Sequence, residues 1–216
     1  MLVRMICMAN SWREHDRCVA GICYETGEWI RPVSSAGGPI GDNDTIIDGR
    51  HIKPLDIVQM RLRQPSVTTR FQKENREIVD GNWELLGQVG PEDVLPHCSP
   101  SHTVLHSNGK VVEPAAMERL PPNKWVSLQL VRATNVVFKP DERKENRWIA
   151  EFCLHHLAPQ YRIGVTDPIA TNRLKQGKEI GRKCLLTISL TEPIAFPQWN
   201  IPELCYKVVA AVIELA

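Results

Sequence analysis

The sequence predicts a mainly β chain folded as two tandem five-stranded Greek-key barrels, with one short helix in the second. Three observations carry that prediction. Apolar residues recur in short strand-like runs over most of the chain, several of them alternating with polar ones as half-buried strands require. Gly, Pro, Asn and Asp turn chemistry separates these runs. The order of runs is also repeated, because each half shows three successive strands, a non-strand insertion and at least one further strand.

Residues 2–9 form the first apolar run, stopping at Asn10-Ser11, and residues 17–23 form the second. Glu25-Thr26-Gly27 reads as a turn, and Glu28 to Val33 follows as a third strand. A connection rich in Gly, Pro and Asp leads to Asp56–Arg63, where Val58, Met60 and Leu62 face one way and Gln59, Arg61 and Arg63 the other. Phe71 to Val79 reads as a short helix or an irregular arm, with a fifth strand placed near Trp83 in Asn82 to Leu86. Pro91 to His97 reads as a turn or a single helical turn, and His106 to Val112, centred on Ser107-Asn108-Gly109, as a small hairpin.

Pro121-Pro122 marks a boundary, which gives a first barrel with an extended loop or arm region over 1–120 and a second barrel over 121–216. In the second half, Val126 to Phe138 is a long extended run whose apolar phase slips near Arg132, as a bulge would make it. Trp148, Ala150, Phe152 and Leu154 share one face of the next strand, and Tyr161, Ile163 and Val165 one face of the third. Asp167 suits a helix N-cap, Pro168 the first helical position and Gly177 the stop. Cys184 to Leu190 alternates, and Cys205 to Leu215 is apolar on both faces, as a central strand would be. Strand–strand–strand–helix–strand–strand is the order of an OB-type barrel.

With 216 residues, 43% apolar and 24% charged, the chain can bury a full core. Its formal net charge of +1 provides no global field to attract a polyanion, so a nucleic-acid role requires a local basic patch or recognition of a base. Seven scattered cysteines without a CxxC pair suggest free buried thiols in a reducing compartment. Arg4 interrupts the first apolar run, so no signal peptide is expected, and Val208 to Leu215 is too short to span a bilayer. A cytoplasmic protein with no membrane partner is the expectation.

Several stretches resemble the bacterial dual OB-containing domain family. They are Cys7-Met8-Ala9-Asn10-Ser11, Arg17-Cys18-Val19-Ala20-Gly21 and Gly27-Glu28-Trp29-Ile30-Arg31-Pro32-Val33-Ser34, followed by Leu55 to Val58, Gln72 to Asn75, Gly164 to Pro168, Ile188 to Leu190 and Cys205 to Ala210. The resemblance implies two tandem OB folds, with nucleic acid or a nucleotide as the partner and a mobile-element or defence-linked context.

Trp29 and Arg31 lie two apart on the third strand and so share a face. An indole and a guanidinium there suit a base and a phosphate, or else a core Trp beside a surface Arg. Asn10, Ser11 and Arg17 sit at neighbouring strand ends and suit a base edge or sugar, or simple turn chemistry. Arg61 and Arg63, with Arg70 and Lys73 nearby, form a basic stripe that suits phosphates or a solvated strand face. Gln72, Glu74 and Asn75 suit base-edge pairing or loop solvation.

His97, Cys98, His102 and His106 are weak candidates for a zinc site, since their spacing matches no common ligand pattern and Pro96 and Pro100 suggest an irregular loop. The sequence has no nucleophile elbow, Walker loop, HExxH or deaminase signature, and no cofactor is expected. His155-His156 with Asp141 or Glu151 could form an acid–base pair, but no spacing fixes their geometry. The reading is a binding module for single-stranded nucleic acid or a modified nucleotide. An enzyme acting on such a ligand and a protein-binding adaptor are the alternatives.

Overall fold

The computed structural model describes residues 1–13, 16–63, 70–79, 81–154 and 157–216. The first half is built on β1 (Leu2–Arg13), β2 (Asp16–Cys23), β3 (Trp29–Val33), β4 (Ile46–Ile47), β5 (Arg50–His51), β6 (Asp56–Arg61), β7 (Asn75–Glu77) and β8 (Glu84–Gln88). β1 pairs antiparallel with β2 on one side and β6 on the other, with a bulge between Cys7 and Ala9. Residues that strict alternation would place on opposite faces therefore break phase: Cys7 packs into the barrel interior, whereas Met8 and Ala9 both join clusters shared with the second half.

β3 lies antiparallel to β2 and parallel to β7. The ring closes where Leu62 bridges Ile78, supported by Arg63 N–H to Glu77 O at 2.9 Å and Val79 N–H to Arg61 O at 3.0 Å. The barrel-closing fifth strand therefore lies within Phe71 to Val79, which was expected to be a helix or an arm. The strand beginning at Glu84, expected as the fifth, is an added strand on the outer edge of β6. Three residues pinned on both sides suffice to close a barrel, and so short a strand has no periodicity to read. β1 also runs beyond its expected stop at Asn10-Ser11, pairing through Trp12 with Arg17 and Arg13 with Asp16.

Gly21 shows how tightly β1 and β2 pack. A Cβ there would lie 2.3 Å from Ile6 O and 2.4 Å from Met5 Cγ, so only glycine fits.

The second half has β9 (Val111–Val112), α1 (Pro114–Glu118), β10 (Leu128–Pro140), β11 (Trp148–Leu154), β12 (Leu157–Val165), α2 (Pro168–Lys175), β13 (Cys184–Leu190), β14 (Ile194–Phe196) and β15 (Ile201–Glu214). β10, β11 and β12 form an antiparallel meander. β12 then runs parallel to β15, β15 antiparallel to β13, and β13 antiparallel to β10, which closes the second ring. The expected bulge in β10 falls between Thr134 and Val137, where Asn135 adopts a φ of 52°. The inward face is the one read from the sequence, since Ala150, Phe152, Leu154, Tyr161, Ile163 and Val165 all enter one core.

Asp167 caps α2 as expected, and Gly177 ends that region with a φ of 71°. Pro91–His97 is a 3-10 helix. The stretch from His106 to Val112 is not a hairpin: Val111 and Val112 pair with Tyr206 and Cys205 of β15 instead, and Val104, Leu105 and Val112 join the second core. Isolated two-stranded hairpins are marginal in water, and a waiting edge of β15 offers this strand a better partner.

The rings meet through Ile6, Met8, Ile22, Leu55 and Val94 against Leu130, Leu185 and Ile213. Beside them, Ala9 and Ala20 pack with Leu128, Ala210 and Ala211. Four alanines at one junction bring the sheets close. Thr187 Oγ1–H donates across the junction to Met8 O at 2.7 Å, and Trp12 N–H to Thr166 O at 3.1 Å. Among the described residues, no helix is long and apolar enough to cross a membrane.

Candidate nucleic-acid interface at the barrel junction

Trp29 and Arg31 do not share an outward face. Trp29 is half-buried against Ala9, Ala20, Leu128, Ala210 and Ala211 at the junction. Arg31 is 7% exposed and its guanidinium is turned to interior partners: Nε and Nη2 donate to Glu74 Oε1 at 3.1 and 2.9 Å, and Nη2 donates to Ser127 Oγ at 3.0 Å. Ser127 also donates to the same Glu74 oxygen. The physical reason is the second barrel, which covers this side of β3 and turns an expected ligand face into an interior. Glu74, with Gln72 and Asn75, belongs to the same interior. Gln72 Nε2 donates across the junction to Leu190 O at 3.0 Å, and Asn75 Nδ2 lies 3.4 Å from Gln72 Oε1.

The basic stripe is largely matched by acids. Arg63 pairs with Glu77 at 3.1 Å, and Arg70 pairs with both Glu118 and Glu203. Lys73 donates to Asn123 O, and Arg61 is exposed at the end of β6. The metal candidates do not converge: among the described residues, no three His, Cys, Asp or Glu side chains are placed to hold an ion. Cys98 packs at the junction, and His106 Nε2 lies against the Val126 backbone at 2.9 Å from its O. His155 and His156 fall outside the described residues. Glu151 pairs with Lys139 and Arg162 at 2.7 and 2.9 Å. Hydrogen bonding to Lys139, with Arg162 beside it, holds its carboxyl below the ordinary range, which suits a fixed anion rather than a proton carrier.

The remaining candidates gather at one end of the first barrel. Asn10 is buried, with Nδ2 donating to Ile52 O at 2.9 Å and Oδ1 left without a protein partner. Ser11 is buried and donates to Cys18 O at 3.3 Å. Arg17 is buried, donates from Nε to Asp42 Oδ1 at 2.6 Å, and lays its guanidinium over the Trp12 ring, 3.8 Å from the ring centre.

Trp12 was not among the expected site residues, yet it opens onto a cleft of about 410 Å³ between the two barrels. Arg147, Thr166, Thr171, Asn172 and Lys175 line the other sides. An adjoining cleft of about 250 Å³ shares Asn146, Arg147 and Lys175 and reaches Lys144 and Trp148. Each wall has a local cause. Trp12 stands at the end of the overlong β1. Arg147 closes the β10–β11 turn, where Asn146 takes a φ of 58° and Asp141 N–H donates to Arg147 O. Thr171, Asn172 and Lys175 ride on α2, which is fixed by its cap: Asp167 Oδ1 accepts from Ile169 N and Ala170 N, and Oδ2 accepts from Val212 N. Burial pushes the Asp167 carboxyl up, and those three N–H groups offset only part of that rise. In the larger cleft, two cations face an exposed indole with no carboxylate side chain in the lining.

One further surface is open. On the outer side of β11 and β12, Gly164 is exposed with no atom within 4 Å of where a Cβ would stand, and the Lys139–Glu151–Arg162 group lies nearby on the same sheet. The strands that carry this face end beside the cleft, where Trp148 pairs with Val165, itself part of the cleft lining. In the sequence, Trp12 stands just past the first apolar run and five residues before Arg17, with no pattern that marks it as a cleft residue. Arg147 and Lys175 are one charge each in charged segments, and only the fold brings them together.

Two closed rings, each with its third strand parallel to its last, therefore make up the chain. The model of the dual OB-containing domain family matches residues 3–212, and the chain belongs to that family.

Proposed function

We propose that this protein is a cytoplasmic binding module for single-stranded nucleic acid or a nucleotide, and that the ligand lies in the junction cleft. The observation that carries this reading is the pairing of exposed Trp12 with Arg147 and Lys175 around one cleft of about 410 Å³. An aromatic face serves any base, and two cations serve the phosphate beside it. The open β11–β12 face gives a longer strand a path away from the cleft, with Lys139 and Arg162 along it.

The test is titration with labelled single-stranded DNA and RNA 12-mers over a series of salt concentrations, using wild type and Arg147→Ala/Lys175→Ala. Salt-sensitive binding is expected, with the double variant lowering the log–log salt slope by about 0.7 for each phosphate that is no longer neutralised. Turnover of the probe would favour an enzyme. A failure to bind any oligomer or nucleotide would favour a protein-binding adaptor.

A further inference from the structure

The Trp12–Arg17 pair carries a more specific inference, which rests on the cleft reading above. Arg17 covers one face of the Trp12 indole at 3.8 Å, while Trp12 itself remains 42% exposed and forms a wall of the cleft. Arg17 is held from several sides. Its own N–H and C=O pair with Ile40, its Nε donates to Asp42, and its Nη2 lies 3.3 Å from His51 Nε2. His51 is oriented in turn, with Nδ1 2.8 Å from Thr45 Oγ1. Thr45 uses its own proton on Asp42 O at 2.9 Å. It must therefore accept from His51 Nδ1–H, which leaves Nε2 as the acceptor for Arg17. These bonds hold the Arg17 guanidinium in place, and the Trp12 indole lies against it.

We propose that Trp12 and Arg17 form a preset stacking platform for one unpaired base, with Arg17 acting as a positioning residue behind the indole and not touching the ligand. The chemistry is that of a cation on one π-face and a free π-face on the other. A planar aromatic ring is the ligand group that matches such a free face, and a base held in a duplex cannot offer its own face to it. The volume is at the small-ligand end of binding sites, about 300–1,000 Å³, and so suits one nucleotide unit rather than a base pair with two backbones. The exposed Asn172 amide and the Thr171 hydroxyl on α2 stand across the cleft to meet the edge of the base or its sugar.

The test compares three fluorescein-labelled 12-mers: a mixed-sequence single strand, the same strand made fully abasic, and its duplex. Polarisation gives the affinities of the full chain, and thermal melting checks folding. Wild type should prefer the normal strand over the abasic strand by about tenfold or more. Trp12→Ala should erase that preference and leave abasic binding unchanged. Arg17→Ala should lower the preference in the wild-type background and change nothing further in the Trp12→Ala background. Arg17→Lys keeps a charge opposite Asp42 and loses the planar fork, so it carries the same test if Arg17→Ala does not fold.

Equal wild-type affinity for normal and abasic strands would overturn the platform while leaving the phosphate-binding reading intact. So would tighter binding of the duplex. An additional loss from Arg17 substitution on the Trp12→Ala background would place Arg17 on the ligand itself and overturn its positioning role. Absence of binding to all three probes would sink the binding reading, and the platform with it.

Discussion

The two barrels share a topology and differ in what covers the face of their second and third strands. In the first barrel, that face carries Ala20, Trp29 and Arg31 and is shut against Leu128, Ala210, Ala211 and Ser127. In the second, the equivalent strands β11 and β12 turn Glu151, Arg162 and Gly164 outward, with no second sheet packed over them among the described residues. Similar chemistry therefore acquires different roles. An Arg–Glu pair on the first barrel is an interior fastening, and an Arg–Glu–Lys group on the second is a charged surface. The lesson is that a barrel face in a tandem protein is free for a ligand only if its neighbour leaves it open.

Breaking the covered face should have the largest effect. Arg31→Ala leaves Glu74 charged and buried without its partner, and removing one member of a buried pair costs about 3–5 kcal/mol. Chemical denaturation should show that loss. If Arg31→Ala instead melts like wild type and binds an oligonucleotide more weakly, then the residue serves the ligand and the junction reading fails.

A second variant adds volume where the alanines meet. Ala210→Leu forces a full branched side chain into a junction made by Ala9, Ala20 and Ala211, and overpacking of this kind costs about 1–3 kcal/mol. A leucine placed at exposed Gln160 should be silent, and a thermal shift assay distinguishes the two.

Lys207 gives an intermediate effect with a defined pH dependence. It is 3% exposed, with its ammonium donating to Val104 O, Ser107 O and Ser107 Oγ, and burial pushes its amine down to about 8. A lysine with a lowered folded value binds fewer protons when folded than when unfolded between about 8 and its ordinary value near 10.5. Its contribution to stability must therefore rise with pH across that window. Wild type should gain stability relative to Lys207→Met as pH rises from 8 to 10.5, and parallel curves would show that Lys207 is not buried as described.

The smallest stability effect belongs to the open face. Arg162→Ala removes an exposed cation from the largely buried Glu151, which retains Lys139, so the change should stay within about 1 kcal/mol. If the strand path proposed over this face exists, the same variant lowers the salt slope of binding by about 0.7. A large melting shift with unchanged binding would reverse both halves of the comparison.

The sequence by itself determined the local content of the fold. Period-two patterns in β6, β11 and β13, the Asp167–Pro168 start of α2 and the apolar β15 each follow from side chains that must face in or out at fixed spacing. The same patterns set the strand order of the second barrel. The tertiary structure alone decided the rest. The closing strand Asn75–Glu77 exists because β3 and the end of β6 offer two edges to fill, and three residues contain no period. Trp29 and Arg31 are interior because a second barrel lies on them, which no pattern within β3 records. Trp12 is more than a hundred residues from Arg147 and Lys175, which are themselves separated by β11, β12 and most of α2, and only the docking of β1 against the end of β12 through the Trp12–Thr166 hydrogen bond brings them to one cleft. Burial of a face is a property of pairs of surfaces, and a single run of residues encodes only one member of each pair.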